Sequence, residues 1–98
     1  MLNITAKPSI KPRKIKYPKV HVTWLDIISY SEWKDAKELA KLEPTQCHNR
    51  GYLFSQDKYK TILFASCTFD EEGAIDYFGD ITIIPTFNVL KMVKEKWV

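Results

Sequence analysis

Residues 20–34, VHVTWLDIISYSEWK, change backbone period partway along, and that change limits what the chain can become. Val20, Val22 and Trp24 alternate with His21, Thr23 and Leu25, the two-residue period of a half-buried strand. From about Ser31 the spacing becomes helical and predicts a helix to Leu42, with Pro44 as its stop. Ser29 and Glu32 have capping-box spacing, and Ser31 is an alternative N-cap. Trp33, Ala36, Leu39 and Ala40 fall within roughly a third of the helical circumference. A short helix with such a stripe must lie on a sheet to bury it.

The rest of the chain reads as strands. Residues 45–55 form the second, with Gly51 marking a bulge or sharp bend. After a polar turn at Gln56-Asp57-Lys58, residues 60–69 are apolar on both faces near their middle, which predicts a central strand. An acidic turn follows at Asp70-Glu71-Glu72-Gly73, then a short edge segment at 75–80 and a strand at 81–84. Pro85 breaks the pattern. Phe87 with Leu90, and Val89 with Met92, have the spacing of one tight helical turn before a last strand at about 90–97.

This order predicts a mainly β protein: a small, strongly bent, five-stranded antiparallel barrel with one helix after the first strand. In architecture it looks like the Sm-like or Src-homology-type barrels, which hide sheet edges by closure or by pairing with neighbouring subunits. An α+β sheet crossed by one helix is the alternative. At 98 residues the chain holds one core. No apolar run approaches the ~18 residues of a membrane span, and the N-terminus has no signal-peptide pattern. The expected location is the cytoplasm of the cell that makes it.

The net charge of +3 conceals two unlike parts. Residues 1–19 carry six cations (Lys7, Lys11, Arg13, Lys14, Lys16, Lys19), three prolines and no acid, and read as an extended arm, flexible unless Ile10 and Ile15 dock it. Residues 20–98 form the single folded domain and hold nine basic and twelve acidic side chains. Lys11, Arg13, Lys14 and Lys16 are candidate phosphate contacts for a nucleic acid or another acidic partner. A solubilising arm, or one that clamps an acidic neighbour in a homo-oligomer, has the same composition.

Nothing in the sequence points to catalysis. His21 and His48 stand in no motif with a nucleophile, and no phosphate loop, HExxH or nucleophile elbow occurs. No cofactor or metal is expected. The acids Asp70, Glu71, Glu72, Asp76 and Asp80 lack EF-hand spacing and read as a solvated turn. Cys47 and Cys67 read as reduced thiols, although some hairpin registers would bring them face to face. The candidate ligand residues are Trp24, Trp33, Arg50 and Tyr52, around a pocket between residues 20–28, the helix and residues 45–55. The opposing expectation is that Trp24, Trp33 and Phe64 are core. Arg50 and Tyr52 share a strand face, so Arg50 is either paired with an acid or turned toward a ligand.

The spaced set VTWLDI, EW with its short helix, CHNRGYLF, TILFAS, ITIIP and VLKM resembles small accessory proteins encoded in tailed-bacteriophage genomes, over residues 20–95. The resemblance implies a protein made in a bacterial host that acts by stoichiometric binding. Some such proteins sequester nucleotide second messengers of host defence, and others occlude a host enzyme. The expectation is therefore a non-catalytic binder of a nucleotide-type signal. The alternatives are an Sm-like RNA or single-stranded DNA binder using the arm, or a direct inhibitor of a host protein.

Overall fold

A computed structural model describes residues 10–96. The elements are β1 (Lys19–Asp26), α1 (Ala36–Leu39), β2 (Thr45–Gln56), β3 (Lys60–Phe64), β4 (Ser66–Phe69), β5 (Ile75–Gly79), β6 (Thr82–Pro85), a 3-10 turn (Thr86–Asn88) and β7 (Val89–Lys94). Five strands form one antiparallel sheet in the order β6-β3-β2-β1-β7, and β4 and β5 form a separate two-stranded sheet. Residues 1–9, with Lys7, and the end of the last predicted strand, with Trp97, lie outside the described residues.

The sheet is open, which corrects the closed barrel. Its two edge strands, β6 and β7, do not pair with each other. Yet only the three residues Thr86–Asn88 join them. In a flat five-stranded sheet the edges would stand about 19 Å apart, at ~4.8 Å per strand. A 3-10 turn rises ~2 Å per residue and cannot span that distance. The sheet must therefore curl until its edges converge at this end. Asn88 holds the turn in place by donating from Nδ2 to the Leu25 carbonyl at 2.8 Å.

The core lies inside the curl. Val20, Val22, Leu63 and Ile84 are buried there, with Trp24, Leu53, Val89 and Met92 packed against them. Both edge strands thus contribute to one cluster. Thr61, fully buried among them, is bonded at Oγ1 to Gln56 Nε2 (2.9 Å) and Thr86 Oγ1 (2.9 Å), so no hydroxyl is stranded.

The opposite face carries a second cluster, made of rings. Phe64 is T-shaped to Phe78 (4.8 Å between centroids) and to Tyr17 (5.3 Å), and stacked on Tyr52 (5.3 Å). Phe78 comes from β5 and Tyr17 from the arm. The cluster therefore ties three separate segments together. It also changes the picture of residues 10–19: Tyr17 docks, and the Leu53 amide donates to the Pro18 carbonyl at 2.8 Å.

Two elements differ from their sequence expectation. The strand expected at 60–69 breaks at Ala65, so that β3 stays in the large sheet while β4 leaves it for β5. Cys47 consequently pairs with Trp24, and Cys67 with Phe78 in the other sheet, so the two thiols do not face each other. The helix expected over 31–42 is only α1, capped by Asp35 rather than Ser29 or Ser31, and none of its residues is buried. Among the described residues, none of its side chains is buried against a partner. An isolated helix this short has no cooperative stability, so its length depends on tertiary contacts.

The turns are fixed by carboxylates. Asp57 Oδ1 accepts from the Tyr59 and Lys60 amides, both at 2.8 Å. The Lys60 amide, then the Tyr59 amide, hold the Asp57 carboxyl below its ordinary pKa, with the Lys60 charge adding a little. A lowered folded pKa means the contribution is complete above the unfolded value, about 3.9, and is lost as pH falls through the folded one. Protection of the Tyr59 and Lys60 amides should therefore drop below about pH 4. An Asp57→Asn variant should lack that step in hydrogen exchange. Asp70 caps the β4–β5 turn similarly, accepting from Glu72 and Ala74 amides at 2.9 Å, while Gly73 takes the left-handed φ of 89°.

Among the described residues no helix is long and apolar enough to cross a membrane.

Candidate anion-binding surface

The outer face of β1 and β2 is polar by register. Lys19 opposes Tyr52, His21 opposes Arg50, and Thr23 opposes His48. On the other side of β1, Thr23 opposes Lys91 of β7. Strand alternation that sends Val20 and Val22 inward sends this set outward. His48 Nδ1 lies 3.0 Å from His21 Nε2 and 3.2 Å from Thr23 Oγ1, so the two imidazoles brace each other across the strands.

The arm runs beside this face, held by Tyr17. Among the described residues, Arg13, Lys14, Ile15 and Tyr52 border a cavity of about 470 Å³. Ile15, Lys16 and Lys19 share a neighbouring cavity of about 320 Å³ with Lys94 and Glu95. On the arm's other flank, Lys14, Lys16 and Tyr17 border a third, of about 530 Å³, with the β4–β5 turn. Lys14, Ile15 and Lys16 recur in these linings, so the cavities adjoin along both flanks of the arm and the cations form a band there. Its cations are Arg13, Lys14, Lys16, Lys19 and Lys94, with Arg50 alongside.

Two acids interrupt the band: Glu72 of the β4–β5 turn, in the cavity it shares with Lys14 and Lys16, and Glu95. Glu95 Oε1 is 3.4 Å from Arg50 Nε, an ion pair without hydrogen-bond geometry. Arg50 remains 68% exposed at its side chain, while Glu95 is 30% exposed and its contacting oxygen is buried. Moving the guanidinium to a phosphate would leave the buried Glu95 Oε1 without its cation, so Arg50 reaches a ligand best while it keeps this contact. Burial pushes the Tyr52 phenol above its ordinary pKa, with the Cys67 thiol adding to the shift, so Tyr52 keeps its proton at neutral pH.

The four residues grouped from sequence do not form one pocket, which corrects that expectation. Arg50 and Tyr52 share the outer face. Trp24 is on the inner face, half-buried, with its indole N–H donating to Asn49 Oδ1 at 2.7 Å. Trp33 lies outside the sheet on the segment between β1 and α1 and is 99% exposed, so it is neither core nor pocket. Of the arm cations, Arg13, Lys14 and Lys16 line the band, while Lys11 lies exposed further out. Lys19, Lys94 and the two histidines were not singled out. Tyr17, the arm's single aromatic, was the available signal that this segment docks.

Apart from Glu72, which borders the band, the acids of the 70–80 cluster that make side-chain hydrogen bonds serve the fold. Thr68 donates to Asp76 and Ser66 to Asp80, while Asp70 caps its own turn. Among the described residues no group of three His, Cys, Asp or Glu is placed to hold a metal ion.

No family model, curated protein or solved structure matches this chain.

Proposed function

We propose that the protein is a non-catalytic binder of single-stranded nucleic acid, held by its phosphates along the arm and the outer face of β1 and β2. The observation that supports this reading is the row of Arg13, Lys14, Lys16, Lys19, Lys94 and Arg50 along the arm and β1–β2, built where the arm docks beside Tyr52. Cations in a row match an extended polyanion, and each phosphate neutralised releases counterions. A sponge for a small nucleotide needs a concave site that encloses most of its ligand. The cavities here are open troughs, and the four-residue pocket that reading relied on is split between two faces and a loop. The phage resemblance fits either ligand, since both act inside a bacterial host by stoichiometric binding.

The test is fluorescence anisotropy with labelled oligo-dT and oligo-U, titrated at several salt concentrations. If the band engages four to six phosphates, log K should fall against log salt with a slope of about −3 to −4, at ~0.7 per phosphate on a single strand. The triple variant Arg13→Ala, Lys14→Ala, Lys16→Ala should flatten that slope by about 2. Absence of binding to both oligomers at 50 mM salt, with saturable binding of a mononucleotide or cyclic dinucleotide instead, sinks the reading in favour of nucleotide sequestration.

A further inference from the structure

Beyond Arg50 the outer face carries a second polar group. Thr23 stands between His48 of β2 and Lys91 of β7, and His21 stands between Arg50 and Val93. His48 Nδ1 meets both His21 Nε2 and Thr23 Oγ1, so two rings and a hydroxyl converge on one place. The remaining ring nitrogens, His21 Nδ1 and His48 Nε2, take no part in that contact. His48, Arg50 and Lys91 are exposed.

The charges around this group are mostly of one sign. On β1 and β2 they are Lys19 and Arg50, and on β7 they are Lys91 and Glu95, the last paired with Arg50. At the far end Leu25 and Gln46 come next, ahead of Asp26 and Glu43 in the wall of the trough there. Three cations against one acid make the place a poor seat for a metal ion and a good one for an anion. A hydrogen bond between two imidazoles needs a hydrogen on one nitrogen and a lone pair on the other. The pair therefore takes up one proton with its bond kept, and the bond is then charge-assisted. A second proton breaks it.

We propose that His21, Thr23, His48, Arg50 and Lys91 hold one phosphodiester of the bound strand, and that this phosphate draws one proton onto the histidine pair. The proposal rests on the single-strand reading above and carries the strand's path from the arm across β1 toward β7. Tyr52, where the arm docks, and His48 are four residues apart on β2, about 13 Å, so one short oligomer reaches both. His48 and Lys91 flank Thr23 from the two neighbouring strands, each about 4.8 Å away at the backbone, within side-chain reach of a single phosphate. Histidine is the side chain whose charge changes near neutral pH, and these are the two histidines of the chain. Proton uptake and phosphate binding are then linked: each favours the other by the same factor.

Fluorescence anisotropy of the full chain with labelled oligo-dT, at fixed salt and from about pH 8 to about pH 6, tests the site. Oligo-dT keeps one charge per phosphate and neutral bases over that range, so any change belongs to the protein. Affinity should rise about fivefold toward the acid end, the value of one exposed contact between opposite charges in water. Titration calorimetry in two buffers of unequal ionisation heat should show proton uptake on binding, up to about one per strand. The double variant His21→Gln, His48→Gln, whose amides hydrogen-bond but do not charge, should lose both signals. Lys91→Ala should weaken binding at every pH and reduce the salt slope by about 0.7. The calorimetry uses the unaltered chain, so it decides the matter even where a variant fails to fold. Binding that keeps its salt slope but takes up no proton, or a pH dependence that survives the double variant, overturns the proposal and leaves the single-strand reading standing. Absence of binding at every pH overturns both.

Discussion

Phe64→Ala should lower the unfolding free energy by about 3–5 kcal/mol, the usual cost of deleting a buried phenyl ring. Phe64 is 1% exposed and joins Tyr52, Tyr17 and Phe78. Those rings come from β2, the arm and β5, so one truncation loosens three segments at once. Domains of this size are commonly stable by only 5–15 kcal/mol, and at roughly 4–8 °C per kcal/mol the midpoint should drop by at least about 12 °C. The effect should reach the binding surface as well. Without its central ring the cluster holds Tyr17 through Phe54 and Phe78 alone, and Arg13, Lys14 and Lys16 are held less firmly beside Tyr52. Urea unfolding measures the first consequence, and the rate of tryptic cleavage at Arg13 to Lys16 the second. A cost below about 1 kcal/mol with unchanged cleavage would mean that the rings touch without supporting anything, against the range for buried aromatics.

Gly51→Ala should be costly for a different reason. Gly51 is buried in β2 opposite Val20, and a Cβ built on it would lie 2.9 Å from the Phe64 carbonyl oxygen. That oxygen belongs to the backbone, so no flexible side chain can move aside. Phe64 is the last residue of β3, where the chain turns away from β2 toward β4. Glycine is required there because the two backbones approach closely, and its φ is not in the left-handed region. The expected loss is about 1–3 kcal/mol, typical of overpacking, and Gly51→Val should lose more. Gly79 supplies the control. A Cβ there would meet Ser66 Cβ at an ordinary 3.5 Å, so Gly79→Ala should be neutral or slightly stabilising, by about 0.5 kcal/mol. If the two alanine variants unfold at the same urea concentration, close approach is not why Gly51 is glycine.

Much of the strand order was legible because it depends on local period. Val20, Val22 and Trp24 do face inward, and Arg50 and Tyr52 do share the outer face, since alternation in a strand is a property of the backbone itself. The tight turn after Pro85 was legible for the same reason. The helix was not. Its apolar stripe implied a partner, but the stripe says only that something must cover it, and among the described residues no side chain of α1 is buried. The grouping of Trp24 with Arg50 and Tyr52 failed on parity, because Trp24 belongs to the inward set on β1 and pairs with Cys47, while Arg50 pairs outward with His21.

The candidate site shows the division most clearly. Charge was readable from composition: six cations and no acid in the first nineteen residues. Where that charge sits was not, because the docking of the arm depends on Tyr17 meeting Phe54, Phe64 and Phe78, rings that are 37 to 61 positions away in the chain. The sequence alone determined the strands, their faces and the presence of a cationic segment, all of which follow from neighbours within a few residues. Tertiary structure alone decided that the sheet curls without closing, that β4 leaves it, that the arm docks beside Tyr52, and that Trp33 is left outside. Each of those depends on which distant side chains compete for the same buried volume, and local spacing carries no information about that competition.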